Sequence, residues 1–216
     1  MLISNQHRFL FIANTKTAST AIETALHPFA DHALADGSTA KHLSLRQLLI
    51  SEQAKKNLLQ SEPCHYLKFG VMRDPLEWIF SWYRYRLGNY VDAPLSPDVT
   101  FVQFWRRKDW NFLRPDGSGK YLQKDIFCCP DGEVLADVII RYDQLKSEFS
   151  NLCKVMGLQA SLEFKNVSRI KNNPSISEGL RAELVEFYKD DYALYAGLDQ
   201  INTQSLAKWK LGSYSA

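Results

Sequence analysis

The sequence predicts an α/β fold with a central parallel sheet flanked by helices, because two stretches of the chain share one pattern. Each stretch begins as a short apolar run, which is typical of a strand buried on both faces, as in a parallel sheet. Each then passes through a polar turn into an amphipathic helix. The two stretches span residues 8–27 and 66–87. A chain of 216 residues suits one domain of ordinary size, so we expect residues 1–216 to form a single domain.

The composition is that of a globular protein, with 45% hydrophobic and 23% charged residues. A net charge of +2 is too small to indicate nucleic acid or a membrane surface, so neither partner is expected. No apolar run approaches the ~20 residues of a membrane span, and no signal-peptide core precedes the first strand, so we expect a cytoplasmic protein. The four cysteines contain no C-x-x-C pair, and they predict neither a zinc site nor a disulfide framework.

The first stretch predicts an anion-binding turn. Its strand is Phe9–Ala13 and its helix runs from Ala18 to His27, with a polar loop between them. A strand, a polar loop and a helix in this order point backbone N–H groups and a helix dipole at an anion. Lys16 lies in the loop, and Ser19 and Thr20 open the helix. One cation and several hydroxyl donors are therefore expected where a phosphate or sulfate would bind.

This loop does not fit the Walker pattern G-x-x-x-x-G-K-[ST]. No glycine occurs between Met1 and Asp36, and Lys16 precedes the Ser-Thr pair by three positions. The run K-T-A-S-T instead resembles the 5′-phosphosulfate loop, P-K-x-x-S-T, of sulfotransferases that use 3′-phosphoadenosine-5′-phosphosulfate (PAPS). Thr15 stands where that family usually has proline. On the loop alone, a plain strand-to-helix turn with a chance lysine is an equal alternative.

A histidine lies between the two stretches. Ser44 with Gln47 predicts a capping box that opens a helix from Leu45 to about Leu59, which places His42 just before a helix N-terminus. Residues 41–44 resemble a segment of the heparan-type sulfotransferases and their bacterial relatives. In that group a histidine between the two nucleotide motifs is the catalytic base, so the resemblance implies this role for His42. Without the resemblance, a structural or merely exposed histidine would be the better interpretation.

The second stretch predicts another anion-binding turn. A strand, Tyr66–Met72, runs into a helix start with Asp74 at the N-cap and Pro75 at the first helical position. Arg73 at the strand end can fork onto a phosphate, and Ser81 adds a hydroxyl two turns into the helix. The alternative is an ordinary capped helix with a surface arginine.

The pattern R-D-P-x-x-x-x-x-S-x-Y, from Arg73 to Tyr83, closely resembles the 3′-phosphate motif of the same family. Trp78 stands where that family often has arginine. Residues 164–169 resemble a family loop that closes over the nucleotide, which would add Asn166, Ser168 and Arg169 to the nucleotide site, although these could be plain loop residues. The patchy resemblance extends from residue 9 to about residue 197, including a closing Y-x-x-D-[YF] pattern at 188–192.

The remaining segments predict ordinary helices and strands. Thr100 with Gln103 forms a second capping box before a short helix that ends near Lys108. The mixture of aromatic and cationic residues from Trp105 to Trp110 allows two interpretations: stacking on sugars of an acidic polymer, or an amphipathic helix with a solvated basic face. The later predicted elements are strands at 125–129 and 133–142 joined by a turn at 130–132, a helix at 144–156, and a last helix opened by Ser175 with Glu178.

The resemblance implies a P-loop nucleotide-hydrolase-like fold and sulfuryl transfer from PAPS to a hydroxyl, with a carbohydrate or another small molecule as the acceptor. Lys16 would stabilise the leaving 5′-phosphate, and His42 would take the acceptor proton. The residues implied in nucleotide binding are Thr17, Ala18, Ser19 and Thr20 at the 5′-phosphosulfate, and Arg73 and Ser81 at the 3′-phosphate. No metal is expected, because Lys16 and the helix terminus supply positive charge. Two alternatives stay open: a small-molecule kinase that uses ATP, and a non-catalytic nucleotide- or glycan-binding relative.

Overall fold

The structure is a computed structural model that describes residues 1–33, 44–88, 94–107, 122–163 and 173–210. Within these residues, five strands form one sheet in the order β3-β1-β2-β4-β5. The strands are β1 (Leu2–Ser4), β2 (Phe9–Ile12), β3 (His32–Ala33), β4 (Leu67–Met72) and β5 (Val138–Arg141). The predicted α/β fold with helices flanking the sheet is therefore confirmed.

The centre of the sheet is parallel and one edge is antiparallel. Strands β2, β4 and β5 pair in parallel, with Ile12 opposite Gly70. Strands β1 and β3 add an antiparallel edge beside β2, which the sequence did not predict because these strands are only three and two residues long. Since β2 and β4 are parallel neighbours, the turns that follow them lie side by side at one edge of the sheet.

Nine helices are described. They are α1 (Ser19–Leu26), α2 (Leu45–Ile50), α3 (Glu52–Leu58), α4 (Pro75–Gly88), α5 (Phe101–Arg107), α6 (Lys124–Phe127), α7 (Leu145–Val155), α8 (Glu178–Phe187) and α9 (Lys189–Lys210). Short 3₁₀ turns occupy His27–Phe29, Pro63–His65 and Tyr142–Gln144. None of the helices in the described ranges is both long enough and apolar enough to cross a membrane.

Both faces of the sheet are buried, as the unbroken apolar runs predict. Phe9 and Phe11 point to one face and pack with residues of α1 and α7. Leu10 and Ile12 point to the other face and pack with residues of α2, α6 and α9. A third cluster joins α4, α5 and α8 through residues such as Trp78. Because every residue of β2 and β4 is buried, the turns at the ends of these strands start from fixed positions.

Gly70 allows β4 to approach its neighbours closely. A Cβ atom at this position would lie 2.5 Å from the ring of Phe127 and 2.9 Å from the carbonyl oxygen of Ile12. The backbone therefore has no room for a side chain there, which keeps β2, β4 and α6 in close contact.

Four predicted elements differ from the structure in detail. The predicted strand at 133–142 is reduced to β5 at Val138–Arg141. The predicted strand at 125–129 is instead helix α6, because the carboxylate of Asp191 accepts hydrogen bonds from two backbone N–H groups at its start. The predicted helix from Leu45 to Leu59 divides at Ser51, whose side chain caps α3 by accepting from the N–H of Ala54. The last helical region is capped by Ser177 and not by Ser175. In these last three cases, a hydrogen bond to a side chain sets the residue at which a helix begins.

Candidate active site

The first turn combines left-handed backbone with an uncapped helix start. Lys16 and Ala18 both have φ of 59°, which is uncommon for residues other than glycine. The hydroxyl of Thr17 donates to the carbonyl oxygen of Asn14 at 2.9 Å, so it is already used inside the loop. Ala18 is the N-cap of α1 and makes no side-chain hydrogen bond there. Among the described residues, no side chain is therefore recorded as capping the first N–H groups of α1, which is the arrangement that an anion-binding helix start requires.

The second turn uses its helix start differently. The Asp74 carboxylate accepts from the backbone N–H groups of Leu76 and Glu77, both at 3.0 Å. This confirms Asp74 as the N-cap and Pro75 as the first residue of α4. Because these N–H groups are already bonded to a carboxylate, the second turn can offer an anion mainly the side chains around it.

Three cations lie together beside the two turns. Burial, together with the positive charges of Arg73 and Arg84, lowers the pKa of Lys16 to about 8. Burial and the charge of Arg73 also lower the pKa of Arg84. Within the described residues, the ion pairs of these cations all involve Glu77, at 3.4 Å from Arg73 and 4.0 Å from Arg84. An excess of partly buried positive charge is therefore present, and an anion would relieve it.

Arg73 has a donor with no partner inside the described structure. Its guanidinium carbon lies 4.3 Å from the centre of the Tyr142 ring, so the planar group is held in place by stacking. Its Nε atom is buried and makes no hydrogen bond to any described residue. A buried donor of this kind costs free energy unless a ligand or water accepts from it, which fits a phosphate oxygen.

Lys16 points toward aromatic rings on α4. Its Nζ atom lies 3.5 Å from the centre of the Tyr85 ring and 5.5 Å from that of Trp82. Such contacts attract the ammonium group to the ring faces. The backbone of the loop is also attached to α4, because the indole N–H of Trp78 donates to the carbonyl oxygen of Thr15 at 2.9 Å. Trp78, which stands where arginine was expected, thus holds the first turn against α4.

The sequence did not single out Arg84, although a signal was present. Glu77, Ser81 and Arg84 are spaced by four and three residues, which places them on one face of α4. Asn173 contacts this face, because it accepts from Nη1 of Arg84 and donates to Oε1 of Glu77. The periodicity of α4 could therefore have added Arg84 to Arg73 and Ser81.

The sequence also gave no indication of the buried amides Asn14 and Gln123. The Gln123 side chain contacts the Asn14 side chain and the backbone of Arg73, with distances between 2.9 and 3.1 Å. These contacts span 109 and 50 residues along the chain. No local pattern reports contacts of such separation.

The structure brings together part of the predicted site. The loop residues Lys16 to Thr20, with Arg73 and Ser81, lie at the adjacent turns and on α4. Thr20 is exposed, whereas Ser19 is buried. The other predicted site residues lie outside the described ranges, and they are His42, Asn166, Ser168 and Arg169.

The structure describes residues 105–107 of the basic and aromatic segment at 105–110. Trp105 is buried, and its indole N–H donates to Glu183 at 2.7 Å. Arg106 makes two hydrogen bonds of 2.7 Å to the same carboxylate. Trp105 therefore packs α5 against α8 and has no free face for a sugar, which favours the amphipathic-helix interpretation for this part. Lys108 and Trp110 lie outside the described residues.

One group of side chains has the spacing of metal ligands. Cys129, Asp131 and Glu133 bring three possible ligand atoms within 4.8 Å of one another. They lie on an exposed turn, and Asp131 already accepts from the backbone N–H of Glu133 at 3.1 Å. Exposed carboxylates often meet in this way without binding an ion, so the group gives no argument for a metal centre.

Comparison with protein families gives one clear result. A family model described as "Sulfotransferase family" matches residues 1–196. The match includes both turns, the cation group and the first part of α9. No match was found among curated proteins or among solved structures.

Proposed function

Because the chain belongs to the sulfotransferase family, whose members transfer sulfuryl groups, we propose that its donor is PAPS and its acceptor a hydroxyl group, expected on a carbohydrate. The observation that carries this proposal is the group of Lys16, Arg73 and Arg84 at two adjacent strand-to-helix turns. PAPS carries a 5′-phosphosulfate and a 3′-phosphate. Two separate anionic ends suit two separate turns.

The first turn would bind the 5′-phosphosulfate. The uncapped start of α1 supports this role, because its N–H groups and dipole favour an anion there. Thr17 and Ala18 would contribute backbone N–H groups, and Ser19 and Thr20 would add their hydroxyls. Lys16 would leave the aromatic rings to contact the oxygen that bridges sulfur and phosphorus.

The second turn would bind the 3′-phosphate. Arg73 has a buried Nε with no acceptor in the described structure, and its stacking on Tyr142 reduces the entropy lost when it binds. Ser81 would donate a hydroxyl from the same face of α4. We add Arg84 to this group, since its position beside Ser81 supports a second guanidinium contact.

The transfer exchanges one bond to sulfur for another. The acceptor oxygen forms a bond to sulfur while the bond from sulfur to the bridging oxygen breaks, and that electron pair stays on the 5′-phosphate of the product, 3′,5′-adenosine diphosphate. Lys16 would stabilise this developing charge. The acceptor proton would pass to His42, whose role is proposed from the resemblance of residues 41–44 to the family segment. Asn166, Ser168 and Arg169 are proposed as further nucleotide contacts on the same basis.

An ATP-dependent kinase is the main competitor for a fold of this type. The first turn has none of the glycines of a Walker loop, and the hydroxyl next to Lys16, that of Thr17, is buried and already donates to the carbonyl oxygen of Asn14. The proposed role of Arg73 and Ser81 at a 3′-phosphate would also have no counterpart in a kinase, since ATP lacks that group. Both points favour the sulfotransferase reaction with PAPS.

Thermal shifts with two nucleotides test the donor. The diphosphate product, which carries the 3′-phosphate, should stabilise the folded protein by ~2.7 kcal/mol at a hundred times its Kd. For a chain of this size, that corresponds to a rise in Tm of roughly 5–10 °C. ATP at the same concentration should give a much smaller rise, with or without Mg²⁺. A larger shift with Mg²⁺–ATP would overturn the PAPS proposal and favour the kinase.

Labelled PAPS offered with a panel of glycans, phenols and lipids tests the acceptor class. Transfer is expected to the glycans, and transfer to phenols alone would contradict the carbohydrate assignment.

The variant His42→Ala tests the proposed base. It should lower kcat by ~10²–10⁴-fold with little change in nucleotide binding, as removal of a general base does. Near-normal turnover would exclude His42 from the mechanism.

A further inference from the structure

Gln123 connects the two anion-binding turns through one side-chain amide. Its Oε1 accepts from Nδ2 of Asn14 at 3.0 Å and from the backbone N–H of Arg73 at 3.1 Å. Its Nε2 donates to the carbonyl oxygen of Arg73 at 2.9 Å. The residue is 0% exposed, so water does not compete for these bonds. One amide therefore contacts the end of β2 and the residue after β4 at the same time.

Gln123 and its partner Asn14 are each held by further hydrogen bonds. The backbone N–H of Gln123 donates to Asp191 Oδ2 at 3.1 Å, and that of Lys124 donates to Oδ1 at 2.8 Å. Asp191 is 0% exposed and belongs to α9. On the other side, Nδ2 of Asn14 also donates to the carbonyl oxygen of Val71 in β4, at 3.0 Å. The connection between the turns therefore runs through buried hydrogen bonds with defined geometry.

We propose that Gln123 is a positioning residue that fixes the spacing between the two turns, so that one nucleotide can reach both. This inference rests on the proposed function, in which the first turn binds the 5′ end of the donor and the second binds the 3′-phosphate. When two binding groups are joined in one ligand, the second contact gains affinity only if the spacing of the two sites matches that of the ligand. Gln123 therefore increases the affinity that a nucleotide gains when it carries both phosphates and not only one.

The variant Gln123→Met tests this role, since methionine has a similar length and no amide. The matched control is Asn202→Met. Asn202 makes the same pair of contacts with one backbone residue, accepting from the N–H of Ile139 at 2.8 Å and donating to its carbonyl at 3.0 Å. Ile139 lies in β5, which is separated from β2 by β4, so this amide does not join the two turns. Both variants are expected to lower Tm.

The measurement is calorimetric Kd for 3′,5′-adenosine diphosphate, 3′-AMP and 5′-AMP. In the unaltered protein the bisphosphate should bind at least ~10²-fold more tightly than either monophosphate. In Gln123→Met this advantage should fall by ~10-fold or more, while the Kd of each monophosphate changes by less than ~3-fold. A loss of general structure would weaken all three ligands alike. In Asn202→Met the advantage should be retained within ~2-fold.

Three outcomes would overturn the inference: an unchanged bisphosphate advantage in Gln123→Met, equal weakening of all three ligands, or the same loss of advantage in the Asn202→Met control. If Gln123→Met does not fold, Asn14→Ala takes its place, because it removes the contact of the first turn with Gln123, together with the bond to Val71, and leaves the Arg73 backbone paired with Gln123. Its bisphosphate advantage should fall ~3–10-fold, and an unchanged advantage would again overturn the inference. If the unaltered protein shows no preference for the bisphosphate, the proposed function itself fails, which is a separate result.

Discussion

The two strand-to-helix turns share one topology but offer an anion different groups. The first turn has an uncapped helix start, a left-handed backbone at Lys16 and Ala18, and one ammonium group. In the second turn the carboxylate of Asp74 already occupies the helix start, and guanidinium groups stand beside it. The difference indicates that the N-cap affects which groups a turn can offer. In the proposed binding mode, backbone groups would serve the first anion, and side chains would serve the second.

This comparison predicts that the first turn contributes most to the chemical step. Lys16→Ala should lower kcat/KM for PAPS by ~10²–10³-fold, with a loss in kcat, because its charge would meet the bond that breaks. Steady-state kinetics with the purified variant measure the effect. A change of only a few-fold in kcat/KM would show that the first turn does not hold the 5′-phosphosulfate.

At the second turn the expected loss is in discrimination between nucleotides. Arg73→Ala should remove most of the difference in thermal shift between 3′,5′-adenosine diphosphate and ATP, because the discriminating phosphate loses its main partner. The shift with 5′-AMP, which reports the first turn, serves as the internal control and should change little. If this variant keeps the full difference in thermal shift between the two nucleotides, Arg73 does not bind the 3′-phosphate.

The parts of this comparison that the sequence predicted were those written in local patterns. The apolar runs identified β2 and β4, and the sequence from Asp74 to Glu77 identified a capped helix start. The spacing of Lys16 before a Ser-Thr pair, and the motif from Arg73 to Tyr83, predicted two anion sites through the resemblance, and these sites stay a prediction. These features depend on residues within about ten positions of one another.

The parts that were missed depend on residues far apart in the chain. Asp191 turns a predicted strand into helix α6, because its carboxylate accepts two N–H groups from residues almost seventy positions earlier. Gln123 is brought to the turns by that same contact. The uncapped start of α1 likewise could not be read from the sequence, since Ala18 is an ordinary helical residue until the loop forces it into left-handed backbone.

The effect of Arg73 and Arg84 on the pKa of Lys16 should appear in the pH dependence of the enzyme's activity. Because the pKa of Lys16 is lowered to about 8, its cationic fraction falls as the pH rises through that value in the donor-free protein. The profile of kcat/KM, which reports the free enzyme, should therefore fall above about pH 8. A bound donor would favour the ammonium form, so kcat should fall only at higher pH.

Two variants sharpen this measurement. Arg84→Gln should move the alkaline limb to higher pH, because one of the charges that lower the pKa of Lys16 is removed. Lys16→Arg should have no limb near pH 8, since guanidinium does not lose its proton there. A limb that stays in place in both variants would assign the titration to another group.

The smallest expected effects are on stability, and they differ in sign between the turns. Asp74→Ala should remove the N-cap of α4 and lower stability by ~1 kcal/mol, which is a fall of ~2–4 °C in Tm for a chain of this size. Differential scanning calorimetry at one pH and salt concentration measures it. An unchanged Tm would mean that the two hydrogen bonds from Leu76 and Glu77 stabilise the folded protein no more than hydrogen bonds from the same groups to water.

At the first turn the corresponding substitution should stabilise the protein. Ala18 has φ of 59°, where a β-carbon costs ~1–2 kcal/mol and glycine has no such penalty. Glycine also loses more entropy on folding, by ~0.5–1 kcal/mol, so the net gain for Ala18→Gly should be about 0.5 kcal/mol. The expected rise in Tm is ~1–2 °C. Ala25→Gly, inside α1, is the matched control and should lower Tm, because helical backbone there offers no strain to relieve. If both variants lower Tm alike, then Ala18 is not strained, and the backbone difference between the two turns would lose its energetic basis.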